Sequence, residues 1–300
     1  MAKTHTSIFF SHRGVKLTQG RMTGSKLRVE LCYTAALPPE LRGASPYGQE
    51  PLLAYFLSSL WTQLDLPRER VTLVLDTDMA LTKTMLAPPV KPRQVRQLVR
   101  NELAGAVLPD TDYLYDYTPT HPGGAGGEIL AAAAEKSLIY AYAAGFAQAG
   151  ISLEAIDLAL PCAIRLLSQD AVLRRLSYIC LIADESNVST LLFLDGGYHF
   201  FNSTTLFAPR GGQEASLEMA RAVSNMMQFN TAQRTEREIE TAYFCGVSER
   251  ELSYGEDVSG YLSLPVAVLP RLSMLEYAGR QEPAYWFSDY IYPLGALLSR

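Results

Sequence analysis

A short antiparallel meander occurs twice in this chain, and that repetition limits what the chain can fold into more than any other feature. Residues 7 to 36 alternate apolar and polar side chains in three runs, SIFF, GVKLTQG and KLRVELCY, punctuated by Gly14, Gly20 and Gly24. Period-two alternation between glycine turns is the pattern of half-buried strands in hairpin succession. From Arg174 the pattern returns as YICLIAD, STLLFLDGG and YHFFNSTTLF, where the DGG turn supplies the positive dihedrals that a tight hairpin needs. Each meander is followed by a helix and a buried strand: PLLAYFLSSLWTQL with RVTLVLD, then EASLEMARAVSNMMQFNTAQ with TAYFCGV. The residues do not repeat, so the repeat is architectural. Two lobes are expected, and 300 residues suffice for both.

The stretch between the meanders reads as an insertion. MALTKTMLAPP is a strand ended by its prolines, and PRQVRQLVRNELAGAVL is a helix with Val95, Leu98, Val99, Leu103 and Val107 on one face. TDYLYDYTP and EILAAAAEK form a strand pair across HPGGAGG, and SLIYAYAAGFAQAG is a helix stopping at Gly150. SLEAIDLAL is expected to be a strand, and SDYIYPLGALLSR a closing helix after a short acidic stretch and PVAVL. The expected order is a first lobe over 1–78, a small β-α-β-β-α subdomain over 79–151, the rest of the first lobe over 152–173 and a second lobe over 174–300.

Charge and composition exclude several functions. With 31 acidic against 26 basic residues, the net charge of −5 argues against a wide surface tracking nucleic-acid phosphates. The N-terminal MAKTHTSIFFSHRG is too short in its apolar part for a signal peptide or span, and the apolar stretch 129–151 is broken by Glu135, Lys136 and Gln148. No direct membrane span is expected. Cys32, Cys162, Cys180 and Cys245 form no C-x-x-C pair and suit buried structural thiols. His5, His12, His121 and His199 have no ligand spacing.

DTDYLYD fails as a calcium loop, with Tyr115 where glycine is needed and His121 where glutamate is needed. GGAGG lacks the following G-K-[ST] of a P-loop. Lys91, Arg93, Arg96 and Arg100 make either a solvated helical face or a contact with an acidic membrane or partner. Met219, Met226 and Met227 make either core filling, the commoner use, or an adaptable surface for varied partners.

Several stretches, taken in order, resemble the PilM family of type IV pilus assembly proteins, which is related in fold to FtsA. They are RVTLVLDTDMALTKTMLAPPVKPRQVRQLVRNELAGAVLPDTDYLYDYTP, then LAAAAEKSLIYAYAAGFAQAGISLEAIDLALPCAI, then LLFLDGGYHFF and the closing YIYPLGALLSR. The resemblance implies an α/β, actin-like (ribonuclease H-like) fold of two lobes with the inserted subdomain. It also implies a cytoplasmic scaffold, peripheral to the inner face of the membrane, whose subdomain groove takes the N-terminal cytoplasmic tail of a PilN-type inner-membrane protein. The pilus ATPase and a second copy of the chain are further candidate partners. By position in the pattern, Leu81, Lys83, Met85 and Leu86 on the strand and Arg93, Arg96 and Arg100 on the helix are the candidates for the peptide groove.

Actin-like proteins hold ATP between two glycine-bearing hairpins whose backbone N–H groups approach the phosphates, with acids holding the metal. Setting the first such motif on Val15-Lys16 puts Phe9 at the acid, Ser11 at the glycine and Arg13 among the small residues. Setting the second on Leu191-Leu192 puts Ala183 at the acid, Glu185 at the glycine and Asn187 at the serine, while a one-residue slip restores Asp184 as the acid. Glu185 would cost about 3 kcal/mol for each nearby phosphate charge, roughly a hundredfold in affinity. At the adenine-contacting turn, Cys245-Gly246-Val247-Ser248 keeps a single glycine.

The expectation is therefore a scaffold without enzymatic activity, catalytic residues, metal or cofactor. The alternative is an ATP- and magnesium-binding assembly switch of the pilus or of a type II secretion system.

Overall fold

In the computed structural model, residues 3–11, 14–43, 45–121, 127–184, 187–234, 237–248, 251–279 and 286–298 are described. The chain divides into two compact units: Met1–Arg165 with Glu276–Arg280 and Tyr292–Arg300, and Leu166–Leu275 with Gln281–Ile291.

The first unit opens with β1 (His5–Phe10), β2 (Gly14–Thr23) and β3 (Lys26–Ala36), an antiparallel meander. Helix α1 (Glu50–Leu64) then crosses over to β4 (Val71–Leu75), which pairs parallel with β1. All five β4 residues are buried, as expected of a strand flanked on both sides. Leu53, Leu57, Leu60 and Trp61 of α1 face the sheet at helical spacing, and the Trp61 indole N–H donates to the Pro67 carbonyl at 3.1 Å.

The insertion follows as β5 (Ala80–Ala87), α2 (Pro92–Leu103), β6 (Tyr113–Pro119), β7 (Gly127–Glu135) and α3 (Lys136–Gln148). Its three strands form a separate sheet in the order β5-β7-β6. Next, β8 (Leu153–Leu158) returns to the large sheet, parallel to β4.

SLEAIDLAL was expected to be strand throughout, but the strand ends at Leu158 and α4 (Ala159–Leu167) begins at once. Pro161 sits in the first turn of α4, where the missing N–H costs nothing. The Thr77 hydroxyl accepts from the Leu160 N–H at 3.0 Å, satisfying one donor of that turn.

The second unit repeats the scheme. Its meander is β9 (Tyr178–Asp184), β10 (Asn187–Leu194) and β11 (Gly197–Thr205). Helix α5 (Gln213–Ala232) leads to β12 (Thr241–Cys245), parallel to β9, and α6 (Tyr254–Leu262) leads to β13 (Val266–Val268), parallel to β12. The sheet order is β11-β10-β9-β12-β13. Met219 and Met226 of α5 are buried in the core and Met227 packs against it. The acidic stretch holds α6, closed by Ser263 in the left-handed region at φ 53°.

The chain then adds β14 (Leu275–Tyr277) beside β3, giving the large sheet the order β14-β3-β2-β1-β4-β8. In place of one closing helix there are two short ones, α7 (Trp286–Asp289) and α8 (Ile291–Ala296). Cys162, Cys180 and Cys245 are buried and Cys32 half-buried, all as free thiols. Burial pushes the thiols of Cys162 and Cys245 well up from their ordinary range.

The DGG hairpin has the geometry its sequence demands. Asp195 and Gly196 both take positive φ, 48° and 71°, which a two-residue loop matching strand twist requires. A Cβ on Gly196 would lie 2.3 Å from the Arg174 Cα and 2.4 Å from its carbonyl oxygen. Gly196→Ala is expected to cost about 2 kcal/mol or more, because left-handed strain and overpacking against backbone add together. Urea denaturation measures this, and an unchanged midpoint contradicts it.

Candidate functional site

The resemblance singles out four places: two hairpins and one turn expected as a degenerate nucleotide cleft, and the inserted subdomain expected to dock a peptide. In the first hairpin Phe9 is fully buried, its ring centroid 4.8 Å from that of Tyr292. A phenyl ring thus stands at the position the resemblance reserves for an acid. The Ser11 hydroxyl donates to the Gly14 carbonyl at 3.1 Å and accepts from the Gly14 N–H at 3.2 Å. The Ser11 N–H donates to the same carbonyl at 2.9 Å. Arg13 lies outside the described residues.

In the second hairpin Asp184 is buried at the end of β9 and faces Asn187 across the ladder. The Asn187 side-chain oxygen accepts from the Thr205 hydroxyl at 3.3 Å. Glu185 lies outside the described residues.

The turn after β12 holds a network that the sequence did not disclose. Gly246 has φ 68°, and a Cβ there would meet the Ala183 carbonyl oxygen at 2.1 Å. Its own carbonyl accepts from an Arg210 terminal nitrogen at 2.6 Å. Arg210 also grips both carboxylate oxygens of Glu251, at 2.6 and 2.5 Å, although Glu251 is only 3% exposed. Ser248 donates its N–H and its hydroxyl to the same carboxylate, each at 2.8 Å.

Burial alone would raise the Glu251 carboxyl, but hydrogen bonds from Arg210 and Ser248, helped by the Arg210 charge, hold it below the ordinary range. Arg210 and Glu251 are 41 residues apart, and no local motif announces them.

The subdomain presents two faces. Leu81 and Met85 of β5 pack, with Val95, Val99 and Leu103 of α2, into one small core. Lys83 pairs with Glu102 of α2 at 2.5 Å and Arg96 with Asp116 at 3.3 Å, while the Arg100 guanidinium lies 5.9 Å from the Tyr115 ring centroid. Arg93 is exposed in the first turn of α2. Leu98, expected on the apolar face, is partly exposed, because residues 95, 99 and 103 define the buried stripe.

Leu86 differs from the other strand candidates. It is 78% exposed, and strand pairing sets it on the face shared by Glu128, Leu130, Ala132 and Ala134 of β7 and Leu114 and Asp116 of β6.

That second face borders a cavity of about 280 Å³, and none of the seven peptide-groove candidates lines it. Leu114, Leu130 and Ala132 form one wall, Leu75, Ile156 and Asp157 another. The latter three lie at the carboxyl ends of β4 and β8, where parallel sheets tend to bind ligands. Both flanking strands end their sheets: β6 ends the small one and β8 the large one. Asp157 is held in place by Arg165 at 3.1 Å, and Arg165 also donates to the Gly295 carbonyl at 3.1 Å. A smaller cavity of about 230 Å³ has Ser11, Asp78 and Tyr142 on its wall.

Among the described residues no group of three or more His, Cys, Asp and Glu could hold a metal ion. No helix among them is long and apolar enough to cross a membrane.

Two meanders, each closed by a helical crossover to a parallel strand, with a small sheet inserted in the first, define the class: this is an actin-like fold. A chain of the PilM-PilN type IV pilus biogenesis complex matches 98% of this chain and 97% of its own length, with a TM-score of 0.80 at 14% identity. A Bacteroides thetaiotaomicron protein with an actin-like ATPase fold and unknown function matches 89% of this chain and 90% of its own, at TM-score 0.55 and 10% identity. The cytoplasmic domain of EpsL, an inner-membrane component of the Vibrio cholerae type II secretion system, matches 99% and 96%, at TM-score 0.53 and 10% identity. No family model matches the sequence, and no curated protein does. The fold expected from the sequence is the fold the chain has.

The Arg210–Glu251 pair should contribute to the acid stability of the second unit. Removing one member of a buried, hydrogen-bonded pair leaves the other charge uncompensated, so Arg210→Ala is expected to cost about 3 to 5 kcal/mol. Because the folded carboxyl titrates below its ordinary value of 4.5, its contribution is present above that pH and is lost as pH falls through the folded value. Glu251→Gln should therefore flatten the fall of stability with acidification, as read by urea midpoints across pH 3 to 6. An unchanged slope contradicts this.

Proposed function

We propose that this chain is a non-enzymatic scaffold of a type IV pilus, or pilus-like, assembly machine. It docks an extended N-terminal segment of a PilN-type inner-membrane protein between β6 and β8. The chain is thereby held, through that partner, at the cytoplasmic face of the membrane, with the pilus ATPase as a further candidate partner.

The observation carrying this reading is the groove itself: two sheet-ending strands on either side of an apolar cavity. An extended segment gains main-chain hydrogen bonds along a strand edge and places alternate side chains into pockets. A cavity of about 280 Å³ has room for a leucine-sized group with neighbours, and Leu86 and Leu114 extend its apolar face toward solvent. The likeness to a chain of the PilM-PilN complex supports the choice of partner. This reading places the groove on the face away from α2, whereas position in the sequence pattern favoured Leu81, Lys83, Met85 and Leu86 with the α2 arginines.

On the same reading the nucleotide positions of the fold are degenerate. Phe9 offers no oxygen to a metal, and Ser11 donates both its N–H and its hydroxyl to the Gly14 carbonyl. Beside Gly246, Arg210 and Glu251 satisfy each other and the carbonyl there.

A peptide carrying the N-terminal tail of a PilN-type protein is expected to bind the purified chain in fluorescence anisotropy. Leu114→Asp and Ala132→Trp should each weaken it at least tenfold, about 1.4 kcal/mol, while Lys83→Glu and Arg93→Glu leave it within twofold. The reverse pattern moves the groove to the α2 side, and no binding at all removes the partner. Millimolar ATP with magnesium should leave the melting temperature unchanged, whereas ligand at a hundred times its dissociation constant would stabilise by about 2.7 kcal/mol.

A further inference from the structure

We propose that the open edge of β11 pairs antiparallel with the same edge of a second copy of this chain, joining two five-stranded sheets across a twofold axis. An edge strand exposes a row of backbone N–H and C=O groups, and folded chains blunt such edges with charge, proline or brevity. The other edges here carry such devices. β5 has Lys83, β6 has Asp116 and Pro119, and β8 has Glu154 and Asp157. β14 is three residues long and includes Glu276, and β13 is three residues long between Pro265 and Pro270. By contrast β11 runs nine residues, GYHFFNSTT, without proline, Asp, Glu, Lys or Arg, and its one bulge, at His199, leaves Phe200 to Thr205 in regular register.

The internal repeat sharpens the contrast. The third strand of the first meander, β3, is covered by β14, whereas the third strand of the second meander, β11, ends its sheet among the described residues.

Just beyond the strand, Phe207 is 90% exposed, yet its backbone is fixed. The Phe207 N–H donates to one carboxylate oxygen of Glu218 at 2.8 Å and the Ala208 N–H to the other at 3.2 Å. Burying an aromatic whose backbone is already held costs less ordering entropy on association, which suits an anchor at an interface.

Self-complementarity selects a second copy as the occupant, and the charge pattern selects this edge among the six. Each chain carries a net −5, and pairing the β5, β6, β8 or β14 edge with itself would bring like charges to the seam. The β11 edge brings none. Antiparallel pairing of identical strands is self-complementary and closes with two subunits, leaving neither edge open. It also runs the Phe200-Phe201 half of one strand against the Thr204-Thr205 half of the other, and aromatic against β-branched is a favourable cross-strand combination.

Sedimentation equilibrium of the purified chain at about 100 μM, where a micromolar pairing is well populated, should show a dimer. Ser203→Lys with Thr205→Lys, both at exposed positions, should reduce the dimer to monomer with an unchanged circular dichroism spectrum, while Ser203→Thr with Thr205→Val keeps it. Phe207→Ala, at a site packed against nothing in the monomer, should weaken the dimer at least tenfold. A wild-type monomer at that concentration overturns the proposal, as does a dimer indifferent to the paired lysines or to Phe207→Ala.

Discussion

A parallel strand pair cannot be closed by a hairpin, and most of this structure depends on two such pairs. β1 with β4 and β9 with β12 each need a long crossover, which α1 and α5 supply. A crossover helix must bury its apolar stripe against the sheet, and a large core forms at each: Leu53, Leu57 and Trp61 over β1 and β4, and Met219, Val223 and Met226 over β9 and β12. Parallel pairing also sends the carboxyl ends of the paired strands to one side of each sheet. The residues just past those ends, Ser11 after β1 and Gly246 after β12, are where the fold offers chemistry.

At those ends the two units have diverged in opposite directions. The first fills its position with an aromatic core, Phe9 against Tyr292, which contributes burial and asks nothing of water. The second fills its position with charge, and the Glu251 carboxylate is stable there because four donors from Arg210 and Ser248 meet it. A buried pair of this kind is weak as a source of net stability but strict about geometry, since either member alone is strongly unfavourable. It therefore ties Gly246, Ser248 and Glu251 to Arg210.

Strand existence was legible because period-two alternation and glycine turns report local geometry, and the DGG hairpin was legible down to its dihedrals. The Leu158–Ala159 boundary was not, because an apolar run such as LAL suits a buried strand and a buried helix equally until Pro161 is placed in a first turn. Strand parity posed a different problem. Leu81, Lys83 and Met85 alternate convincingly, but alternation says only that two faces differ, not which one a helix will cover. Once α2 lies over the odd-numbered residues of β5, the cavity falls to the face carrying Leu114, Leu130 and Ala132. The Arg210–Glu251 contact and the β14 addition bring together residues distant in sequence, and local patterns do not encode such pairs.

The open edges beside the cavity and the open edge of β11 are physically different objects. β6 carries Asp116 and β8 carries Glu154 and Asp157, and within the same unit Asp116 is answered by Arg96 and Asp157 by Arg165. Such edges discourage indiscriminate pairing because a wrong strand must disturb an ion pair or bury one unsatisfied, while a matched segment can slide between them and leave both intact. β11 has no comparable filter, and its selectivity must come from shape, namely the fixed Phe207 and the aromatic-to-threonine gradient along the strand. The two proposals, docking beside β6 and β8 and self-pairing at β11, thus rest on where the charged residues fall among the strand edges of this chain.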